Sequence, residues 1–161
     1  MRAIEAFSRL PDFDLFGEGW EKRHPAIDPG LHAAAQQAYR GIAPDKPKLL
    51  AAYRFSLVFE NTRFPGYVSE TIFQSFFARC IPIYSGAPDV AQYVPPAAFI
   101  DARQFANYAD LERFLRATTE ADAKRYLDAA HVFLSSTAYE TFCIGRFARD
   151  VVDALVQVGE Q

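Results

Sequence analysis

The sequence predicts an α/β fold: a Rossmann-like open parallel sheet flanked by helices, in one domain over residues 1–161. Three observations predict it. Short apolar runs recur at 55–59, 81–84 and 98–101, each bounded by loop or turn residues. Helical periodicity separates and follows them, at a spacing that implies parallel pairing with right-handed crossovers. Finally, 161 residues, half of them hydrophobic and 23% charged, suit one domain with a substantial core and are too few for two.

The elements follow in order. MRAIEAFSRL places Ile4, Phe7 and Leu10 on one face of a short helix. DFDLF, at 12–16, alternates as a strand and runs into Gly17 and Gly19. Asp28-Pro29-Gly30 reads as an N-cap with proline at the first helical position, LHAAAQQAYR as the helix and Gly41 as its stop. Pro44 and Pro47 break the chain before a short helix through Leu49 and Leu50. FSLVF (55–59) is nearly all apolar, as a strand covered on both faces should be. Ser69 begins a helix with Ile72, Phe73, Phe76 and Phe77 toward the core, and Pro82 forces its end shortly after Cys80. IPIY (81–84) is the next strand, a short helix passes Val90 and Tyr93, and AFID (98–101) is the third strand. DLERFLRAT, ADAKRYLDAAHVFLSS and an amphipathic stretch from Tyr139 to Val158 are helices expected to cover the sheet.

Composition narrows the function classes. A net charge of −3 and a pI near 5.6 give no general attraction to nucleic acid or to an anionic membrane. No apolar run approaches the roughly 20 residues that span a bilayer, and the first dozen residues carry acids where a signal peptide would be apolar. Cys80 and Cys143 lie in apolar surroundings without metal-like spacing and read as buried free thiols of a cytoplasmic protein, any link to the inner membrane running through partners. His24, His32 and His131 share no spacing with acids or cysteines, so neither a metal site nor a Ser-His-Asp triad is expected.

The informative stretch is FENTRFPGYVSETIFQSFFARCIPIYSGAPD, which begins at the last residue of the first strand and includes the second. In open parallel sheets ligands bind beyond the carboxyl ends of the strands, and residues 60–70 fall there. Pro65 and Gly66 shape the path, Asn61, Thr62, Tyr67 and Ser69 offer donors and acceptors, and the helix N-terminus at Ser69 suits a phosphate. The spacing matches neither G-x-G-x-x-G nor a P-loop, so the pattern alone defines a ligand-binding loop and no more.

The blocks Tyr53-Arg-Phe-Ser-Leu-Val-Phe-Glu-Asn-Thr, Gly66-Tyr-Val-Ser-Glu, Ile81-Pro-Ile-Tyr-Ser-Gly-Ala-Pro and Phe99-Ile-Asp, in this order, resemble the C-terminal domain of glycosyltransferase family 10, the α-1,3/1,4-fucosyltransferases. FDLFGEGW upstream fits the same pattern, and the resemblance runs from near residue 2 to about residue 115. It implies the donor half of a GT-B enzyme that binds GDP-fucose for inverting transfer to a glycan acceptor, without a metal or other cofactor. The acceptor and the catalytic base would belong to an N-terminal domain that these residues do not match. The expectation is therefore that this chain alone transfers no fucose, and no catalytic residue is assigned in it. The alternative is a degenerate nucleotide-sugar-binding or interaction module. A surface left bare by a missing edge strand would also favour a homo-oligomer.

Residue by residue, the resemblance makes Glu70 a ligand for donor hydroxyls, against the plainer role of an acid at a helix N-terminus. Asn61 and Tyr67 join it, against a turn-forming asparagine and a packed aromatic. Glu60 reads equally well as a strand-end carboxylate bonding loop N–H groups. Arg2 falls where the family has an arginine facing the diphosphate. The family's lysine after the glutamate is Thr71 here, and Arg63, in the same loop, is the candidate to replace it, against an ordinary exposed arginine.

Overall fold

The computed structural model describes residues 2–22 and 27–159. Strands β1 (Phe55–Phe59), β2 (Ile81–Ser85) and β3 (Ile100–Asp101) form a parallel sheet in the order β1-β2-β3. The helices are α1 (Arg2–Phe7), α2 (Pro29–Ala38), α3 (Lys46–Leu50), α4 (Glu70–Phe77), α5 (Tyr108–Ala117), α6 (Glu120–Leu134), α7 (Thr137–Glu140) and α8 (Ile144–Gly159). The fold is the predicted one, an open parallel sheet flanked by helices. Among the described residues no helix is long and apolar enough to cross a membrane.

β2 organises the core. Every residue of it is buried, and its alternation sends side chains into two separate layers. Tyr84 joins Val58, Ile72, Phe73, Phe76 and Phe133 on the face covered by α4. Ile81 and Ile83 join Ala3, Phe7, Ile100 and Leu111 on the face covered by α1 and α5. Helix α6 contributes to both layers, Ala123 to the second and Ala130 and Phe133 to the first. Pro82, inside this central strand, has no N–H to give, yet no ladder bond is lost. Ile81 donates to the Arg54 carbonyl on the β1 side at 2.9 Å, so Pro82 turns its nitrogen toward the β3 side. Pairing there starts only at Ile83 opposite Ile100.

Helix α4 starts at the Ser69 N-cap, whose Oγ accepts the Thr71 N–H at 3.4 Å. It ends at Phe77, five residues ahead of Pro82. Cys80 N–H reaches the Ser75 carbonyl (2.9 Å) and Arg79 N–H the Phe76 carbonyl (3.0 Å), the paired bonds of a Schellman turn. Arg79 occupies its left-handed position at φ 56°, where glycine is usual.

Several sequence expectations need correction. DFDLF is not a strand; it makes a single parallel bridge, Leu15 to Tyr39, before Gly17 (φ 136°) and Gly19 (φ 87°) turn the chain away. To form that bridge Tyr39 becomes extended, so α2 stops at Ala38 rather than running to Arg40. Pro47 does not break the chain but lies in the first turn of α3, behind the Asp45 cap. β1 is not covered on both faces: it is an edge strand with only Val58 fully buried. Its Phe55, Leu57 and Phe59 line a groove of about 1040 Å³ that also touches α1, residues 12–18 and α3. Asp14 bonds the Tyr53 hydroxyl at that groove (2.7 Å), and burial together with this carboxylate pushes the phenol up to about 12. Ala98 sits in a 3-10 turn (Pro96–Ala98), leaving β3 two residues long, and Val90–Gln92 is likewise 3-10 rather than α-helix. Phe77 is 61% exposed, outside the core, and lies edge-on to Tyr139. Cys80 is buried, and burial pushes its thiol up, but Cys143 is only half-buried. His24 lies outside the described residues.

The largest correction concerns the C-terminal helix. The stretch 139–158 is expected to cover the sheet, but α8 begins only at Ile144, and among the described residues none of its side chains enters either layer. Ile144 is 82% exposed and Leu155 68%, and Phe147, Val151, Val152 and Val156 are exposed too.

Removing residues 144–161 therefore shifts the melting temperature by less than about 2 °C, whereas Ile72→Ala, in the α4 layer, costs about 2–5 kcal/mol by urea denaturation. Replacing the strained Arg79 by glycine raises stability by about 1 kcal/mol in the same measurement.

Candidate functional site

β1 and β2 end together at the carboxyl edge of the sheet, where Phe59 faces Ser85 and the Glu60 N–H continues the ladder to the Ser85 carbonyl at 2.9 Å. The chain then leaves as an irregular loop, 60–69, before α4. Its course depends on Gly66, which takes φ 76°, a value open to glycine and strained for other residues.

Three side chains fix this loop from below. The Glu60 carboxylate accepts the Ser69 N–H at 2.9 Å, folding the loop back on its own start. Asp89, from the segment after β2, accepts the Gly66 N–H at 2.9 Å. The Tyr84 hydroxyl, fully buried, accepts the Ala87 N–H at 3.0 Å and donates to the Tyr67 carbonyl at 3.5 Å. Gly86 leaves the room this needs, since a Cβ there would overlap Glu60 Cγ and the Tyr84 hydroxyl. From the end of β3, Arg103 donates Nη1 to the Ala87 carbonyl at 2.6 Å. Its Nε and Nη2 each meet an oxygen of Asp101 at 2.8 Å. The segments leaving β1, β2 and β3 are thus tied into one hydrogen-bonded platform.

Burial would raise the Asp101 carboxyl, but the hydrogen bonds and charge of Arg103 outweigh it and hold it below the usual carboxylate range. The same pair raises the Arg103 guanidinium. This arginine is committed to the clamp. The Arg63 guanidinium makes one long contact, to Ser85 Oγ at 3.4 Å, and the residue is exposed.

Asn61 and Tyr67 belong to this loop and Glu70 to the first turn of α4. Each is exposed, and none of their side chains has a hydrogen-bond partner among the described residues. Tyr67 is 40% exposed, so it is not the packed aromatic of the plainer reading. Glu60 does take the plainer role of a carboxylate bonding a loop N–H. Thr71 is half-buried and bound into the cap, its Oγ1 accepting from the Ser69 hydroxyl at 3.2 Å. Arg2 stands apart, at the exposed start of α1, a helix that belongs to the layer opposite α4. Among the described residues no three His, Cys, Asp or Glu side chains converge as metal ligands.

Sequence reasoning missed Tyr84, Gly86, Asp89, Asp101 and Arg103. Four of them stand inside the quoted blocks or beside them, as IPIYSGAPD and FID, but there they read as strand and turn. Arg103 lies outside those blocks and carried no signal.

The site falls inside a region of known relatives. The sequence model described as glycosyltransferase family 10 (fucosyltransferase), C-terminal, matches residues 3–131. The alpha-(1,3)-fucosyltransferase FucT of Helicobacter pylori is 38% identical over 72 residues, 45% of this chain and 15% of that enzyme. GDP-fucose protein O-fucosyltransferase 3 of Bos taurus is 30% identical over 80 residues, 49% of this chain and 16% of that protein. A crystal structure of an alpha1,3-fucosyltransferase with GDP-fucose superposes with a TM-score of 0.49 at 31% identity, over 60% of this chain and 31% of that one. The matches thus take in less than a third of each of these three proteins.

The Asp101 pair gives the platform a defined acid response. Because the folded-state carboxyl is held low, its stabilisation is complete above about pH 4 and drains away as pH falls through the folded value. In Asp101→Asn that component disappears, so chemical denaturation shows a smaller loss of stability between about pH 4 and pH 2 than the unaltered protein does.

Proposed function

The chain belongs to glycosyltransferase family 10, the fucosyltransferases, and we propose that it is the donor-binding domain of such an enzyme, holding a GDP-sugar, GDP-fucose, for inverting transfer to a glycan acceptor. The observation that carries this reading is the braced loop at the carboxyl edge of the sheet. It leaves Asn61, Tyr67 and Glu70 uncovered and without internal partners, on a backbone fixed by Glu60 and Asp89. Polar groups held in place but unpaired are the arrangement a ligand with many hydroxyls requires, since their ordering is complete before it arrives.

In this reading Glu70 and Asn61 hydrogen-bond donor hydroxyls, and Tyr67 offers its ring face and phenol. The first N–H groups of α4 and the Arg63 guanidinium take up the charge that grows on the leaving diphosphate, so the chemistry calls on no metal ion. No catalytic base is assigned among these residues; in this reading the base and the acceptor site lie in an acceptor domain outside them. Thr71 favours a second reading, a nucleotide-sugar-binding module without catalysis, because the family's ammonium is missing there and the threonine is held in the helix cap.

Isothermal titration tests the reading. GDP is expected to bind in preference to UDP and ADP, and EDTA to leave its affinity unchanged. Arg63→Ala weakens GDP by about tenfold, and Thr71→Lys strengthens it by about as much, each change being one charge-assisted phosphate contact. Equal affinity for all three nucleotides would remove the donor reading. Turnover of GDP-fucose with an N-acetyllactosamine-type acceptor by this polypeptide alone would contradict the assignment of the base to another domain.

A further inference from the structure

Asp89 stands at the start of a 3-10 turn, Val90–Gln92, the place where an aspartate usually caps the turn with its side chain. Here it does not. No side-chain cap bond is present, and the carboxylate instead reaches across to the Gly66 N–H at 2.9 Å, 23 residues away in sequence. The same short segment brings Tyr93 beside this glycine, its hydroxyl 3.4 Å from where a Cβ would lie. Asp89 therefore holds Gly66 at the one position where the loop adopts a left-handed backbone, φ 76°. The support beneath Asp89 is itself braced, because Arg103, clamped by Asp101, donates to the Ala87 carbonyl two residues earlier.

We infer that Asp89 is a positioning residue for the donor site: it fixes the Gly66 turn, and with it the placement of Tyr67 and Glu70, without itself meeting the donor. This inference rests on the donor reading above and adds what tunes it. Loop 60–69 has almost no buried side chains of its own, so its order depends on a few hydrogen bonds, and removing one releases a local motion rather than the fold. The effect on ligand affinity follows, because a loop that must order on binding lowers the apparent affinity by the fraction of time it is out of place.

The charge of Asp89 provides an internal control. Deleting a carboxylate near a diphosphate should by electrostatics alone tighten GDP. A geometric pin predicts the reverse. In Asp89→Ala, amide exchange at Gly66 and its loop neighbours is expected to accelerate at least about tenfold, while the melting temperature moves by less than about 2 °C. The GDP dissociation constant, by titration, is expected to rise about tenfold. Asp89→Asn keeps an acceptor without the charge, and recovers most of both losses. Unchanged exchange in Asp89→Ala overturns the inference, as does faster exchange with unchanged or tighter GDP binding. So does an asparagine variant no better than the alanine one. If the unaltered protein takes no GDP, the donor reading falls and this inference with it. If it takes GDP and Asp89→Ala binds it equally, only the inference falls.

Discussion

The burial of β2 is the constraint on which the remaining structure depends. Five residues are buried between two apolar layers, and their alternation assigns each neighbouring element to one layer or the other. Helix α4 is held by the layer containing Tyr84; α1 and α5 are held by the layer containing Ile81 and Ile83. A strand so enclosed must satisfy its backbone within the sheet, and Pro82 is tolerated only because its nitrogen points where pairing has not begun.

The same strand builds the candidate site. Tyr84 lies in the core, yet its hydroxyl emerges at the carboxyl edge and links the loop after β1 to the segment after β2. A buried phenol needs partners for its polar end, and here both partners are backbone groups of the platform. Rigidity at the site is therefore an extension of the core. The uncovered groups, Asn61, Tyr67 and Glu70, sit one step further out, on backbone whose bonds are already made.

How far this was legible in the sequence varied with the range of the signal. The three strands and α4 carried strong local patterns, and the blocks around Asn61, Tyr67 and Glu70 located the site. DFDLF alternated like a strand but lacked a neighbour to pair with beyond Tyr39, and alternation says nothing about partners. FSLVF has the composition of a central strand yet lies at an edge, because strand order is a tertiary property. Pro82 looked like the helix stop, while the real stop was a hydrogen-bond motif centred on an arginine, which carries no sequence mark. Asp89 and Arg103 were invisible for the same reason: their roles consist of contacts to carbonyl and N–H groups distant along the chain.

Helix α8 has a broad apolar face and, among the described residues, adds nothing to either core. Its six uncovered large side chains, Ile144, Phe147, Val151, Val152, Leu155 and Val156, form the longest run of exposed apolar residues in the described chain. Surface of that kind leaves folding stability alone but governs how molecules meet at high concentration. For this polypeptide, colloidal behaviour and thermodynamic stability are thus set by different parts of the sequence, and a change that improves one need not touch the other.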